Sequence, residues 1–236
     1  MVADALVYHP TVAHYLRYVA TTVGRDKLLR TLQYFSRFYA WYLFRTNHPT
    51  SSIAPYEAIK KHFGLSRKLM RVGKNVEHFK AAATAADAKG TDPVLRYCAV
   101  GRQLGYAVYL SLDTITYLDA ASIRPSPAAK SLQRNAYRAW LVGLLFSAAS
   151  GTYTLQRLAS RQAALSKKDG EGAVELKRVE RDRDAARWQL VSDVCDMTIP
   201  GAALGWGGHV LDDGLVGLAG TVSSVIGVWG QWRKTA

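Results

Sequence analysis

Cysteine is scarce in this chain: only two, Cys98 and Cys195, occur among 236 residues. Both sit inside apolar helical patterns, and their spacing suits neither a disulfide framework nor a metal clip. They read as core residues of an intracellular, thiol-reduced protein. The six histidines are scattered without a His-x-x-x-His pair, so no metal site is expected. No glycine loop cradles a phosphate: the segment from Gly205 to His209 lacks a strand before it and a Lys-Ser/Thr after it. No nucleophile elbow occurs. Asp182 and Asp184 form an acidic pair, but Arg181, Arg183 and Arg187 crowd them, which reads as ion pairing along a helix. The residues therefore argue for no enzyme and no cofactor. An N-terminal secretory signal is also not expected, nor a serine-lysine-leucine-type address at Ala236.

Acids are in short supply too. Against 31 Lys and Arg stand 18 Asp and Glu, giving a net charge of +13 and a pI near 9.8. The expected partners are polyanions, either nucleic acid or an anionic membrane leaflet. The imbalance is concentrated early: before residue 81, thirteen Lys or Arg face four acids, Asp4, Asp26, Glu57 and Glu77. Nucleic acid fits poorly, because the basic residues are spread over helices that need their faces for packing and no readout motif is present.

What is abundant is helical periodicity, while strand alternation is missing. Residues 24–45 form the most informative stretch. At about 100° per residue, Leu28, Leu32, Phe35, Tyr39 and Tyr42 fall on one side. Arg30 and Arg37 lie nearly opposite, Arg25 and Lys27 stand at the entry, and Tyr34, Trp41 and Phe44 flank the stripe. A basic amphipathic helix with bulky aromatics suits a membrane surface, and the same stripe suits a core-facing helix of a bundle.

Around it the pattern predicts a short helix from Pro10, ending before Gly24, and a third over residues 56–80. A fourth covers 93–123, with Val94, Tyr97, Gly101, Leu104, Val108, Leu112 and Ile115 as a seam against a neighbour. After the break at Pro125 and Pro127 a long fifth helix covers 128–165, turning at the polar segment 166–172. A sixth covers 171–198, with Leu176, Val179, Ala186, Leu190, Val194 and Met197 on one face.

Two segments approach the roughly 20 residues that a bilayer core demands. Residues 139–156 and 214–232 carry no charge. The second holds Gly214, Gly217, Gly220, Gly227 and Gly230, with Trp229 and Trp232 near its end and Arg233 and Lys234 beyond, a composition that suits a membrane helix. The expected architecture is an all-α, membrane-associated multi-helix bundle in three regions. Residues 1–92 form a basic amphipathic part, 93–199 a long-helix bundle and 200–236 a glycine-rich hydrophobic membrane segment.

The segment from Gly24 to Arg30 (GRDKLLR), followed by Leu32-Gln-Tyr34 and Ser36-Arg-Phe38, resembles the N-terminal signature of the peroxin-11 family. The segment from Ser66 to Lys74 (SRKLMRVGK) resembles that family's second motif. The resemblance runs over essentially the whole chain and looks fungal in type. It implies a peroxisomal membrane protein with both termini in the cytosol. Such a protein curves the membrane with its amphipathic helix, forms homo-oligomers, elongates peroxisomes and promotes fission. Its implied partners are an anionic phospholipid membrane, copies of itself, and a dynamin-related fission GTPase with its adaptors. In the matching motif Arg25, Lys27, Arg30 and Arg37 would contact lipid phosphates, and Leu28, Leu32, Phe35 and Tyr39 would insert. The alternative function it implies is a metabolite pore of the peroxisome, for which Ser147, Ser150, Thr152 and Thr154 are the visible polar candidates.

Overall fold

In a computed structural model the residues described are 7–165 and 173–236. Among them the chain forms nine α-helices and no strand: α1 Pro10–Ala20, α2 Thr22–Arg45, α3 Thr50–Met70, α4 Lys74–Asp87, α5 Pro93–Ile115, α6 Tyr117–Ala120, α7 Ala129–Leu165, α8 Ala173–Ala203 and α9 Asp213–Lys234. The expected turn at 166–172 lies outside the described residues. Contacts divide the chain into two compact units, one gathering Met1–Met70 with Gly207–Ala236, the other Arg71–Trp206.

The first unit is built on α2. Thr21 caps it, accepting a hydrogen bond from the Gly24 amide at 3.0 Å, and so separates it from α1 with a single extended residue. On one flank α2 packs against α3: the Tyr39 and Tyr56 rings meet edge to face at 4.7 Å, and Gln33 lies against Gly64. On another it packs along α9, which returns from the far end of the sequence. Asp212 caps α9 by accepting from the Leu215 amide at 2.9 Å.

The second unit is a four-helix arrangement of α4, α5, α7 and α8, each packing on the next. At the α5–α7 crossing two glycines meet: a Cβ on Gly105 would stand 2.7 Å from the Gly143 Cα. Tyr109 stacks on Trp140 at 5.1 Å nearby. Ser147 of α7 donates to the Asp193 carboxylate of α8 at 2.6 Å, both residues buried. Burial pushes the Asp193 carboxyl above the usual carboxylate range, against the opposing pull of the Ser147 and Gln189 hydrogen bonds and the Arg102 charge. Arg71 donates to Asp113 at 2.9 Å and to the Tyr109 hydroxyl at 3.0 Å.

Several expectations need correction. The single helix over 56–80 is two: α3 stops at Met70, and Gly73 takes φ +83° before α4 begins. A left-handed residue without a Cβ ends one helix and starts another direction. The helix expected to reach 123 ends at Ile115, with the one-turn α6 after it. Most of the seam on α5 faces out: Val94, Tyr97, Leu104, Val108 and Ile115 are exposed, while Gly101 meets the Phe146 ring of α7 and Leu112 is half-buried, and Cys98, Gly105, Ala107, Tyr109 and Leu110 are buried. An apolar helix with small residues on its other side packs by that small side, because it lets backbones approach. Of the two charge-free segments, 139–156 is the middle of the 37-residue α7, and among the described residues only α9 is long and apolar enough to cross a membrane. Cys98 is buried and Cys195 half-buried.

Candidate membrane-binding surface

Helix α2 has three faces with different chemistry. The face on α9 carries Lys27, Arg30, Tyr34, Phe38 and Trp41, one residue per helical turn. Opposite them runs a row of small residues. Built-on Cβ atoms would stand 2.4 Å from the Trp41 ring at Gly214, 2.5 Å from the Phe38 backbone nitrogen at Gly217 and 2.3 Å from the Tyr34 ring at Gly220. At Gly227 the neighbour is Lys27, 3.0 Å away at Nζ. Numbers rise along α2 as they fall along α9, so the pair is antiparallel and in register from Lys27–Gly227 to Trp41–Gly214. Gly214, Gly217 and Gly220 let the aromatic residues of α2 lie on the α9 backbone.

Two arginines fasten this face. Arg30 is only 8% exposed, and its Nη2 donates to Ser223 Oγ at 3.2 Å. Arg37 donates to Asp213 Oδ1 through Nε at 3.1 Å and Nη2 at 2.6 Å, and Lys60 of α3 reaches the other oxygen at 3.4 Å. The second flank of α2 meets α3 through Asp26 and Gln33. Both accept hydrogen bonds from the buried Arg67, at 2.9 Å and 2.7 Å.

The third face is the apolar stripe, open at Leu32, Phe35 and Tyr42 and met at Tyr39 by the Tyr56 ring of α3. Leu32 is 50% and Phe35 46% exposed, and Tyr42 is equally open. Leu28 and Tyr39 are half-buried. The rings form a continuous row, Phe35 stacking on Tyr39 at 5.9 Å and Tyr39 on Tyr42 at 6.0 Å. On α9 the side away from α2 is likewise apolar and open: Leu215, Leu218, Val222, Val225 and Trp229, spaced 3, 4, 3 and 4, with Trp229 at 62% exposure.

Of the eight residues singled out from sequence, the structure places Leu28, Leu32, Phe35 and Tyr39 together on the open face. Arg25 is exposed at the start of α2, donating to the Val19 carbonyl at 2.6 Å, and Lys27 lies half-buried on α9. Arg30 and Arg37 are turned into the packing between helices. Residues that sequence reasoning passed over are Asp213 and Ser223, the partners of those charges, and Arg67, which holds Asp26 and Gln33 from α3. The signal that announces the first two is the spacing of Gly214, Gly217 and Gly220, a small-residue face matched to the aromatics of α2.

Among the described residues no group of three or more His, Cys, Asp or Glu is placed to hold a metal ion. The surface offers apolar area rimmed by fixed cations. Arg17 and Arg25 at one end of α1 and α2, and Arg233 and Lys234 at the end of α9, are all exposed, and Arg17 donates to the Thr235 carbonyl at 3.0 Å. His14 packs its ring on Trp232 at 3.7 Å in the same place.

A family profile described as Peroxisomal biogenesis factor 11 (PEX11) matches residues 12–232. Peroxisomal membrane protein PMP27 of Saccharomyces cerevisiae is 32% identical, the alignment covering 100% of both chains. Peroxisomal biogenesis factor 11 of Schizosaccharomyces pombe is 23% identical over 95% of this chain and 96% of its own length. Human Peroxisomal membrane protein 11B is 22% identical over 91% of this chain and 94% of its own length. No solved structure matches the chain.

Proposed function

The chain belongs to the peroxisomal biogenesis factor 11 family, whose relatives are named as peroxisomal membrane proteins, and on that premise we propose that it is a non-enzymatic remodelling scaffold of the peroxisomal membrane. The open aromatic face of α2 inserts at the headgroup–acyl boundary, with Leu28, Leu32, Phe35 and Tyr39 entering and Arg25 and Lys27 meeting lipid phosphates. Arg30 and Arg37 meet phosphates where they are released from Ser223 and Asp213. Shallow insertion expands one leaflet. Homo-oligomers concentrate the wedges, elongate the organelle and present it, with its termini in the cytosol, to a dynamin-related fission GTPase and its adaptors.

The observation that carries this reading is the exposed row of Leu32, Phe35 and Tyr42 on a helix whose other two faces are packed. A water-facing helix has no use for such a row, and burying each Leu or Phe in the acyl boundary contributes roughly 1.5–3 kcal/mol. The pore reading has less behind it: Ser147 is committed to Asp193, and Thr152 to the Ala148 carbonyl of its own helix.

Flotation of the full chain with vesicles of phosphatidylcholine and phosphatidylserine tests the proposal. Leu32→Glu with Phe35→Glu should weaken binding at least about tenfold and abolish tubulation, since two insertion energies are lost and two charges added. Undiminished binding and tubulation by the folded double variant would overturn it.

A further inference from the structure

The second unit buries polar groups and leaves large apolar ones in the open. Asp113, Thr116, Ser147, Asp193 and Asp196 are all buried in it. On α5 the open side chains are Val94, Tyr97, Leu104 and Val108, and the row they form has a gap at Gly101. With that glycine the spacing is 3, 4, 3 and 4, one side of a helix.

Gly101 is where α7 joins the row. A Cβ built on it would stand 2.6 Å from the Phe146 ring, so the ring fills the gap in the α5 stripe while staying exposed itself. Val142, one turn earlier on the same side of α7, is exposed, and so is Leu145 beside Phe146. The open sides of the two helices therefore adjoin and look the same way. Their antiparallel packing holds that alignment, since Gly105 lies on Gly143 and Thr116 donates to Gln133 at 2.8 Å further along.

Cations continue this side. Helix α7 contains Lys130, Arg134, Arg138, Arg157 and Arg161 and no acid, and all five are exposed. Arg134 and Arg138 precede Val142 and Phe146 at intervals of four, so their guanidinium groups stand in line with the apolar row. Arg157 and Arg161, at the far end, pair with Asp92 and Glu175. Lys130, Arg134 and Arg138 meet no acid among the described residues.

We propose that the joint open side of α5 and α7 is a second membrane-contacting surface. Its apolar row lies against the acyl chains of an anionic bilayer, and Lys130, Arg134 and Arg138 reach the lipid phosphates. The proposal goes beyond the α2 reading and does not rest on it, because every residue involved belongs to the second unit. A second copy of the chain would cover the apolar row but bring no counter-charge from this side. Helix α7 has no acid, and the one acid of α5, Asp113, is buried and bonded to Arg71. Anionic headgroups supply the apolar cover and the counter-charge together. The buried carboxylates agree with this surrounding, since helices that meet lipid turn their polar side chains toward one another.

Quenching from lipid and from water tests the surface. The full chain, with Cys98→Ala and Cys195→Ala, takes a single cysteine by Leu104→Cys, Leu145→Cys or, on the charged half of α8, Asp182→Cys. Each is labelled with a nitrobenzoxadiazole fluorophore and reconstituted in phosphatidylcholine–phosphatidylserine vesicles with or without nitroxide lipid. The expected result is that the Leu104 and Leu145 labels lose most of their fluorescence to nitroxide lipid and little to aqueous iodide, with the reverse at Asp182. Quenching of either of the first two by iodide and not by lipid overturns the proposal. So does protection from both quenchers, the mark of a second copy over the row, and so does lipid quenching at Asp182 as well. A Phe35→Cys label measured alongside reports the α2 stripe separately, so either reading can fail while the other stands. Val108→Cys and Val142→Cys, also on the open side, replace any variant that loses its helical circular dichroism.

Discussion

Arg67 donates to Asp26 at 2.9 Å, and this bond joins the two family-like motifs, GRDKLLR and SRKLMRVGK, into one structural unit. The acid that looks out of place on so basic a helix is the anchor for α3. Gln33 takes the other end of the same guanidinium at 2.7 Å, so Arg67 reads two turns of α2 at once.

Removing the cation should be expensive. Arg67→Ala removes the guanidinium that donates to the Asp26 carboxylate, whose side chain is 18% exposed. Breaking a buried pair from one side costs about 3 kcal/mol or more. Arg67→Ala should therefore lower the unfolding midpoint of the detergent-solubilised chain by several degrees, and hydrogen exchange should quicken in α2 and α3 together. The double variant Asp26→Asn with Arg67→Met should recover part of the loss, because neither charge of the pair is then left behind alone.

The α2–α9 contact leaves no room for side chains at Gly214, Gly217 and Gly220. Gly217→Leu drives a branched side chain into the Phe38 backbone, and overpacking of this kind costs about 1–3 kcal/mol or separates the elements. A crosslink between Lys27→Cys and Gly227→Cys should form readily in the cysteine-free parent and fall severalfold when Gly217→Leu is added. Gly230→Leu, where a Cβ meets nothing within 4 Å, should leave the crosslink unchanged.

Much of α2 was legible in the sequence, because bulky side chains repeating at 3 and 4 residues report a helical face whatever covers it. The periodicity could not say how many faces would be packed. Arg30 and Arg37, opposite the stripe, suit lipid phosphates equally well until α9 is placed beside them. The tail's glycines carry the same ambiguity, since Gly214, Gly217 and Gly220 are as natural in a lipid-embedded helix as against aromatic rings. On α5 Val94, Tyr97, Leu104, Val108 and Ile115 face outward, and Gly105 and Ala107 pack inward beside Tyr109 and Leu110. A reading that weights size therefore chooses the wrong side. The split at Gly73 rests on a single backbone angle that an isolated glycine does not announce.

Asp193 provides a pH signature for the second unit. Its carboxyl is raised by burial, so the native state holds the proton more tightly than the unfolded chain does. The native state thus gains from that proton below the ordinary aspartate range, near pH 3.9, and loses the gain as pH rises through the raised native value. Asp193→Asn removes the ionisation. At pH 7 the variant should melt a few degrees above the parent, and the difference should shrink as the pH is lowered toward 4, read by circular dichroism at 222 nm or differential scanning calorimetry.

Gly73 supplies a milder test. At φ +83° with nothing within 4 Å of a built Cβ, the obstacle to a side chain is backbone strain alone. Gly73→Ala should cost about 1 kcal/mol and Gly73→Asn less, because asparagine tolerates the left-handed region. Thermal melts of the two variants should rank in that order below the parent.

The return of α9 to α2 also sets an order of events during synthesis. A helix finished at Arg45 waits for one that begins at Asp213, and at roughly 5–20 residues per second that interval is many seconds long. Throughout it, Tyr34, Phe38 and Trp41 have no glycine backbone to lie on, and both the inner and the outer aromatic rows of α2 are bare. A nascent chain of this protein is thus stickier than the finished one. Its first unit closes only once Asp213–Lys234 has been made.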